Sequence, residues 1–324
     1  MSSSISRNTN SRFTPPWRAD GLRYQALSWY LRNRFGGPVR KISLDAGLSC
    51  PNAFGDRSSG GCVFCNIRSF SPSRRAGIGP IDEQLLAAIE RFDRSRRKPV
   101  GFLAYFQPGT NTFAPVDKLA AMIEQALGHP RVLGVILGTR PDCVPEPVLD
   151  MLAEFARRTW VLIEYGLQSI HDRSLAWLNR GHDYAAFVDA VGRTRRRGID
   201  VGAHLILGIP GESRDDMLAT AAALGRLDLH SVKLHNLYVA KDTRLAELWA
   251  QGKAPMIDRD EYVRLVVDFL ERLPSRWVID RLSADAPPEY LIAPAWCLDK
   301  ATVHRAIERE LEARDTWQGR LEST

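Results

Sequence analysis

The sequence has no apolar run long enough to cross a membrane. No stretch reaches the roughly eighteen apolar residues of a spanning helix, and residues 1–20 are polar, without the apolar segment of a secretion signal. Cysteine is also scarce, with five among 324 residues. An odd number, with three close together, argues against a disulfide framework and favours metal binding in a reducing compartment. We therefore expect a cytoplasmic protein without membrane contact.

The sequence also lacks a strong excess of charge of either sign. Its 44 Lys and Arg residues stand against 38 Asp and Glu residues, a mildly basic balance. Such a balance permits an anionic partner such as RNA but does not require one. The length suits one enlarged domain, or one domain with appendages.

Three of the five cysteines lie on one short stretch, at Cys50, Cys62 and Cys65. Glycines between them allow tight turns, and the stretch follows a strand-like run at residues 39–44. Three thiolates can hold three irons of a 4Fe-4S cluster, and with no fourth cysteine nearby one iron keeps an open coordination position. The alternative is a structural zinc site, which usually takes four protein ligands. A zinc site would need Cys143, Cys297 or a histidine as the fourth.

After the first strand, apolar strand-like runs alternate with amphipathic helix-like segments. The further strand candidates are residues 99–106, 131–138, 159–166, 199–207 and 229–235, and the helix candidates between them are 81–97, 116–127, 146–157, 184–197 and 214–227. This alternation predicts six parallel βα units. Six right-handed units can curl into a partial (β/α)6 barrel, whose site is built by loops at the carboxyl ends of the strands.

The chain divides into three parts by pattern. Residues 1–19 are rich in Ser, Arg and Asn and are expected to form a flexible tail. Residues 20–256 carry the barrel. From residue 257 the pattern changes to helix, short strand, Pro-rich loop and helix, which predicts a C-terminal α+β extension that closes the open side of the barrel.

The spacing C-x11-C-x2-C and several downstream motifs resemble the YhcC-type branch of the radical S-adenosylmethionine (radical SAM) enzymes, whose relatives include the catalytic subunit of Elongator. The spacing departs from the superfamily's commonest C-x3-C-x2-C. The motifs are YFQPGTNT at 105–112, GTRPDC at 138–143, EYGLQS at 164–169, GIPGE at 208–212 and KLHNLY at 233–238. The resemblance covers roughly residues 20 to 300.

This resemblance implies a radical SAM type of barrel and two cofactors. A 4Fe-4S cluster on Cys50, Cys62 and Cys65 would chelate S-adenosylmethionine at its open iron, and a low-potential donor such as flavodoxin or ferredoxin would supply the electron. Reductive cleavage would give methionine and a 5'-deoxyadenosyl radical, which attacks a substrate at the barrel mouth. The protein contributes orientation and exclusion of water.

The resemblance also implies residues that bind the methionyl part of the cofactor. Gln107, Thr110 and Asn111 follow the second strand, where relatives bind the amino group; a polar turn that ends a strand is the alternative. Arg180 matches an arginine that pairs with the carboxylate, onto which a guanidinium forks with two hydrogen bonds. A surface arginine after a helix would have the same sequence context.

Contacts to the nucleoside part are implied for three further residues. Glu164 and Gln168 bracket the end of the fourth strand, from which relatives contact the ribose hydroxyls. A carboxylate in an otherwise apolar run is costly to bury without a partner, which favours a site role for Glu164. Gly208 would let the backbone approach the adenine, although a plain strand-to-helix turn explains the same motif.

Three residues near the sixth strand are candidates for substrate contact and catalysis. Lys233 and His235 alternate along the strand, so both side chains can point inward, and Tyr238 lies just past its end. The alternative is a strand end whose polar residues reach solvent.

The first functional hypothesis is a radical SAM enzyme that acts on tRNA, by analogy with the wobble-uridine modification made by the Elongator catalytic subunit. That relative carries an acetyltransferase domain, for which residues after 300 leave no room, so a shared reaction would need another carbon donor. The second hypothesis is a radical enzyme for a small metabolite or a protein. The third is a non-catalytic iron-sulfur or zinc module that docks on a redox enzyme. Fold similarity alone does not decide the substrate.

Overall fold

The protein is built around one curled parallel sheet. The computed structural model describes residues 14–53, 60–94 and 98–322. Its strands are β1 (Val39–Leu44), β2 (Gly101–Phe106), β3 (Val132–Thr139), β4 (Trp160–Gln168), β5 (Asp200–Leu207), β6 (Ser231–Asn236), β7 (Val239–Ala240), β8 (Val278–Arg281) and β9 (Leu291–Ala293). Seven of them form a single sheet in the order β1-β2-β3-β4-β5-β6-β8, in which all neighbours are parallel. The predicted partial barrel of βα units is confirmed.

Helices connect successive strands and cover the outside of the sheet. They are α1 (Pro16–Ala19), α2 (Leu27–Phe35), α3 (Ile67–Phe70), α4 (Pro72–Ala76), α5 (Ile81–Asp93), α6 (Val116–Leu127), α7 (Glu146–Ala156), α8 (Asp172–Trp177), α9 (Tyr184–Arg195), α10 (Arg214–Gly225), α11 (Arg244–Ala250), α12 (Arg259–Arg272) and α13 (Lys300–Ala313). Short 3-10 turns occupy Pro141–Cys143 and Ala295–Leu298. β7 and β9 pair antiparallel as a separate small ribbon.

Local sequence explains why these elements begin and end where they do. The α10 helix begins with a reciprocal capping box, in which the Ser213 side chain accepts from the backbone of Asp216 and the Asp216 carboxylate accepts from the backbone of Ser213. The predicted helix at 116–127 matches α6, and that at 146–157 ends one residue early. α5 ends at Asp93 instead of Arg97, and the last residues of that prediction, 95–97, lie outside the described part of the chain.

The C-terminal extension is part of the barrel as well as its cover. β8 pairs with β6 and adds a seventh strand that the sequence pattern assigned only to the extension. Across the remaining gap, the Lys41 Nζ of β1 lies 2.6 Å from the Asp280 carboxylate of β8. A single parallel bridge from Ala26 to Ile279 also approaches this side. The extension therefore lies at the open side of the barrel, where the sequence analysis placed it.

Helix α2 fills the amino end of the barrel. Its Leu31 is buried in an apolar cluster with inward-facing residues of the first four strands, namely Val39, Leu103, Tyr105, Ile136, Trp160 and Leu162. The larger cluster lies on the outer face of the sheet, where β-strand residues meet the surrounding helices. The barrel thus has an apolar base, and polar interior residues follow toward its carboxyl end.

The flexible tail predicted for residues 1–19 is wrong for its last residues. Residues 16–19 form α1, whose Trp17 side chain is fully buried. The Trp17 indole N–H donates to the Ser275 carbonyl at 3.0 Å, which fixes this segment to the C-terminal extension. A buried tryptophan outweighs the polar composition around it. Residues 1–13 lie outside the described residues.

Among the described residues, none of the helices combines the length and apolar character that a membrane crossing requires.

Candidate active site

The cysteine stretch lies at the carboxyl end of β1 and is held by the chain after α8. The Asn52 Nδ2 donates to the Asn179 carbonyl at 2.6 Å, and Asn179 donates back to the Gly61 carbonyl at 2.7 Å. The Val63 N–H donates to the Leu178 carbonyl at 3.1 Å. Residues 54–59 lie outside the described part. These reciprocal bonds fix both described sides of the stretch to one loop.

Cys50, Cys62 and Cys65 are all free thiols near the surface of this loop. Surrounding protein atoms, which strip water from the sulfur, raise the pKa of Cys65, and Cys62 and Cys50 raise it further. The Cys65 residue is exposed to solvent, although protein atoms surround its sulfur. Cys50 and Cys62 thus lie within electrostatic reach of the Cys65 sulfur.

Three thiols on one stretch can hold three irons of a 4Fe-4S cluster or, with a fourth ligand, a single zinc ion. Zn–S bonds of about 2.3 Å would bring the sulfurs of a zinc site within roughly 4 Å of each other. No three Cys, His, Asp or Glu side chains in residues 14–53, 60–94 and 98–322 are grouped to hold one ion. A 4Fe-4S cluster places each thiolate on a different iron and so holds them further apart.

Arg180 lies directly against the cysteine stretch. One guanidinium nitrogen, Nη1, donates to the Cys62 sulfur at 3.0 Å, and Nη2 donates to the Gly166 carbonyl at 2.7 Å. The third, Nε, is buried and has no partner among the described residues. The sequence prediction placed Arg180 at the cofactor. The structure places it beside a cysteine, with one donor left for a ligand.

Arg140 is a second buried guanidinium at this edge of the sheet, and the sequence analysis did not assign it a role. Two of its nitrogens donate to the Asp142 carboxylate at 2.9 and 3.0 Å. Its Nη1 is buried without a partner within the described chain. Unpaired buried donors are costly. Arg140 and Arg180 therefore fit an anionic ligand such as the carboxylate of S-adenosylmethionine.

The loop after β2 carries the three residues predicted to bind the methionyl amino group. Asn111 is fully buried, and its Nδ2 donates to the Phe106 and Gly138 carbonyls at 2.9 Å each. Thr110 is buried as well, and its N–H donates to the Ser49 carbonyl. Gln107 is partly exposed and accepts a 3.3 Å bond from Ser43. Asn111 thus joins the ends of two strands, while its Oδ1 stays buried and unpartnered in the described part.

Gln168 and Gly208 lie at strand ends with unusual backbone geometry. Gln168 has φ 79°, a left-handed conformation that side chains rarely adopt. Gly208 has φ 82°, and a Cβ there would lie 2.9 Å from the Ile257 side chain. Such strain is typical of binding sites. Their predicted contacts to ribose and adenine stay predictions.

Glu164 lies midway along β4 inside the barrel and has three charged or polar partners. Its Oε2 is 2.5 Å from the His204 Nε2 and 3.4 Å from the Lys233 Nζ, and its Oε1 is 3.6 Å from the Lys41 Nζ. Burial alone would raise the pKa of Glu164, but the charges of Lys233 and Lys41 and the contact with His204 hold it well below its usual range. The predicted need for a buried partner is met by these three side chains. The ribose contact stays a prediction.

Lys233 and His235 both face the barrel interior, as their alternation on β6 predicts. The Lys233 Nζ donates to the Tyr105 hydroxyl at 2.7 Å, and burial lowers the pKa of Lys233 to about 8. Burial likewise lowers the pKa of His235 well below its usual value, and Arg281 and Lys233 lower it further. The His235 Nε2 is buried and has no partner among the described residues. The ring stacks on His204 with centroids 6.0 Å apart.

Tyr238 lies beside the cysteine stretch, just past β6. Its hydroxyl is 3.3 Å from the Ser69 Oγ. Burial raises the pKa of Tyr238, and Cys65 is among the groups that raise it further. Of the three predicted catalytic residues, Tyr238 is thus the one near the cysteines, whereas Lys233 and His235 lie within the barrel.

Sequence reasoning missed several residues of this region. Lys41 was assigned no role, because its partners Glu164 and Asp280 are distant in sequence. Asp280 and Arg281 lie on a strand with a register shift opposite β6, and such an irregularity has no clear sequence signal. Asn52 lies two residues after Cys50, and only that position hinted at its role.

The two remaining cysteines, Cys143 and Cys297, are both buried. Cys297 is buried and accepts a 3.0 Å bond from the Asn236 Nδ2. Cys143 is buried in the turn after β3. A pocket of about 150 Å³ opens elsewhere, between α10, α12 and α13, and its lining includes Arg214, Asp268 and Arg314. The lining contains none of the cysteines or motif residues, so we do not associate it with the chemistry of the barrel.

Two family models match the chain. A model of the Radical SAM superfamily matches residues 53–224, and a model of the Radical_SAM C-terminal domain matches residues 229–313. The first range runs from the cysteine stretch to the end of α10. The second runs from just before β6 to the end of α13, which includes the seventh strand of the sheet.

The chain is similar over most of its length to two proteins from bacteria. It is 38% identical over 306 residues to the uncharacterized protein YtqA of Bacillus subtilis, covering 94% of this chain and 95% of the relative. It is 37% identical over 282 residues to YhcC of Escherichia coli, covering 87% and 90%. A more distant relative is a tRNA uridine(34) acetyltransferase of Methanocaldococcus infernus, with 27% identity over 53% of this chain and 32% of that protein.

Among solved structures, the fold is similar to that of Elp3 from the archaeon Methanocaldococcus infernus. The TM-score is 0.65 at 17% sequence identity, and the match covers 86% of this chain and 64% of the other. At this identity the likeness concerns the fold.

Proposed function

The chain belongs to the radical SAM superfamily, and we propose that it is an enzyme that reductively cleaves S-adenosylmethionine at a 4Fe-4S cluster bound by Cys50, Cys62 and Cys65. The resemblance to YhcC that the cysteine spacing and downstream motifs predicted is confirmed. The cofactors of the superfamily are the cluster and S-adenosylmethionine. What we propose is the cleavage reaction and the residues that bind the two cofactors.

One observation carries the proposal. Three free thiols lie on one stretch after β1, at the carboxyl end of a parallel barrel, next to two arginines that each keep one buried donor without a partner in the described chain. Parallel barrels build their sites at this end. The thiols match the cluster, and the donors match the carboxylate of the sulfonium nucleotide.

A reduced 4Fe-4S cluster held by Cys50, Cys62 and Cys65 would supply the electron for reductive cleavage of S-adenosylmethionine to methionine and a 5'-deoxyadenosyl radical. The protein then has to orient the nucleotide and keep water away. Arg180 would orient the nucleotide, because it contacts Cys62 and its Nε donor has no partner among the described residues. The narrow interior behind it, lined by Lys233 and His235, is the place for the substrate.

The experiment compares cysteine variants after anaerobic reconstitution. We expect the wild-type protein to bind about four irons per chain and, with reductant, to convert S-adenosylmethionine to 5'-deoxyadenosine, because all three ligands are present. Cys62→Ala should lose the brown colour and the cleavage. The control is Cys297→Ser, which keeps an acceptor for Asn236 far along the chain from the cluster loop. A brown and active Cys62→Ala protein contradicts the proposal.

For the substrate, we propose a tRNA uridine. Support comes from the distant relative named as a tRNA uridine(34) acetyltransferase and from the mild excess of basic residues, which suits an anionic partner. Digested tRNA from a strain that lacks the protein should lack one modified uridine present in the wild type. The strain complemented with Cys62→Ala should lack it too. Identical nucleoside profiles would turn attention to a small molecule or a protein substrate.

A further inference from the structure

Five charged side chains of the described residues act on one another in the barrel interior. Lys41, Lys233 and Arg281 are the cations, and Glu164 and Asp280 are the anions. Lys41 binds Asp280 at 2.6 Å and Lys233 lies 3.4 Å from Glu164. Both pairs are largely shielded from water. Arg281 is left without an ion pair or a hydrogen bond among the described residues.

A bulge in β8 explains how Arg281 reaches the interior. Opposite β6, Val232 pairs with Ile279 but the next residue, Lys233, pairs with Arg281, so Asp280 is the extra residue. A bulge changes the direction of side chains, and here the successive residues Asp280 and Arg281 both lie on the interior face of the barrel. Asp280 binds Lys41 inside the barrel. The neighbours Ile279 and Leu282 lie in the outer apolar cluster instead.

The charge of Arg281 acts on the residues of the upper interior. It lowers the pKa of Lys233 and of His235, and it offsets part of the rise in the pKa of Tyr238. Arg281 is half-buried, so solvent compensates its charge only in part. The two histidines offer no negative charge. A cation that is partly screened from water and has no ion pair is stabilised when an anion binds beside it.

His235 gives a second, independent sign of a missing ligand. Its Nε2 is buried without a partner in the described part of the chain, although it lies on a strand end that faces the barrel. Buried polar atoms are nearly always hydrogen-bonded, to protein, water or ligand. An imidazole N–H and a guanidinium are donors that suit the oxygens of an acid.

We infer that the barrel contains a subsite for an acidic group of the substrate, a carboxylate or a phosphate, bound between the Arg281 guanidinium and the His235 imidazole. The inference rests on the proposed function, because it concerns the molecule that the radical attacks. The subsite selects compounds that carry an acid, and it places the rest of the molecule toward Tyr238 and the cysteine stretch. A bare uracil ring carries no such group. An acidic small molecule, either as the substrate or as a second reactant beside a nucleic acid, does.

The test measures stabilisation of the reconstituted protein by simple anions. Malonate represents the carboxylate and inorganic phosphate represents the phosphate, each compared with chloride at equal ionic strength and with saturating S-adenosylmethionine present. At about ten times the dissociation constant, we expect the wild-type Tm to rise by roughly 2 °C. Arg281→Gln should show no rise. Arg309→Gln, which changes an exposed arginine of α13, should respond as the wild type does.

The comparison of the two anions identifies the class of acid, since the one that raises the Tm more is the better match. An equal response of Arg281→Gln and the wild type overturns the inference, and so does a wild type that responds to neither anion. If malonate or phosphate raises the Tm without S-adenosylmethionine but not in its presence, Arg281 binds the cofactor's own carboxylate. That result also overturns the inference.

A second measurement needs no ligand. Because Arg281→Met removes the uncompensated charge, we expect its Tm in chloride to equal or exceed that of the wild type. A fall of several degrees, while Arg309→Met stays unchanged, shows that Arg281 is already balanced within the fold and overturns the inference. Cleavage of S-adenosylmethionine, assayed in the same wild-type samples, separates the two proposals: active enzyme without an anion response refutes the subsite alone.

Discussion

At the scale of single residues, Glu164 supplies the negative charge that stabilises the buried lysines of the barrel interior. Its carboxylate is almost completely buried and lies among Lys41, Lys233 and His204. Removing one partner of a buried ion pair leaves the other charges uncompensated, which costs more than the pair itself contributes. The residue that sequence analysis chose as a ribose ligand thus has an evident structural task as well.

Glu164→Gln should lower the free energy of unfolding by about 3 kcal/mol, because two lysines lose their common counter-charge. Urea unfolding at pH 7 measures it. Glu154→Gln is the control, since it removes an exposed ion pair with Arg157 and should change stability by less than about 1 kcal/mol. A roughly tenfold weaker binding of S-adenosylmethionine by the folded variant would in addition support the ribose contact. Equal stability of the two variants would refute the structural role.

Lys233 makes stability depend on pH in a direction opposite to that of a surface lysine. Its pKa is about 8 in the folded protein, because burial disfavours the charged form, against 10.5 in the unfolded chain. Between these values the unfolded chain binds more protons, so the free energy of unfolding rises with pH. Relative to Lys233→Met, the wild type should gain about 1 kcal/mol per pH unit between pH 8 and 10. Urea titrations of both proteins at several pH values measure this difference.

Taking the difference between the two proteins removes the contributions of the cysteines and tyrosines that titrate in the same range. Tyr105 loses a bond in the variant, but that loss is the same at each pH below its own raised pKa. A constant difference from pH 8 to 10 would mean that Lys233 titrates at an ordinary value.

The limits of sequence reasoning are visible at these residues. The sequence predicted that Glu164 lies buried in an apolar run and that Lys233 points inward. Their contact was not, because β4 and β6 are separated by β5 and meet only through the curvature of the sheet. The same holds for Lys41 and Asp280, which are 239 residues apart in the chain.

At the scale of elements, the alternation of strands and helices was predictable because each strand is a compact apolar run and each helix has one apolar face. What could not be predicted was the end of β4. That strand continues to Gln168, past the Gly166 at which the sequence pattern stopped, and Gln168 adopts a positive φ. The carbonyl of Gly166 receives the Arg180 donor, so this strand end determines where the arginine lies.

Gly166→Ala should therefore damage the site while sparing the fold. A Cβ at this position would lie 2.9 Å from the Arg180 Nη2 and 2.9 Å from the Gln168 Nε2, so Arg180 has to move. We expect at least tenfold weaker binding of S-adenosylmethionine, since a bond to a charged group contributes about 1.5–3 kcal/mol. Calorimetric titration of the reconstituted protein measures the binding.

Gly225→Ala is the matched control, because at the end of α10 the nearest atom to a new Cβ is 3.9 Å away. It should bind the cofactor as the wild type does, and its Tm should not fall. If Gly166→Ala binds equally well, the position of Arg180 does not matter for the cofactor.

At the scale of the whole molecule, the barrel and its C-terminal extension share one sheet and one apolar core. The extension supplies β8, the counter-charge for Lys41, and helices α12 and α13, whose buried side chains belong to the same apolar cluster as the strands. The pattern change at residue 257 marked a boundary in the sequence. In the structure, hydrogen bonds and core packing cross it.

A chain that ends at Met256 should consequently fail to fold into a stable barrel. Without β8 the backbone of β6 loses its partner on one side and pairs only with β5, and an unpaired edge of a buried strand promotes aggregation. Lys41 would also face Glu164 alone. We expect the truncated protein to be insoluble, or to unfold in urea without a cooperative transition, whereas a chain that ends at Glu322 behaves as the full protein. A soluble truncated protein with an m-value proportionate to its length would establish residues up to 256 as an independent domain and would return the extension to the role of a cover.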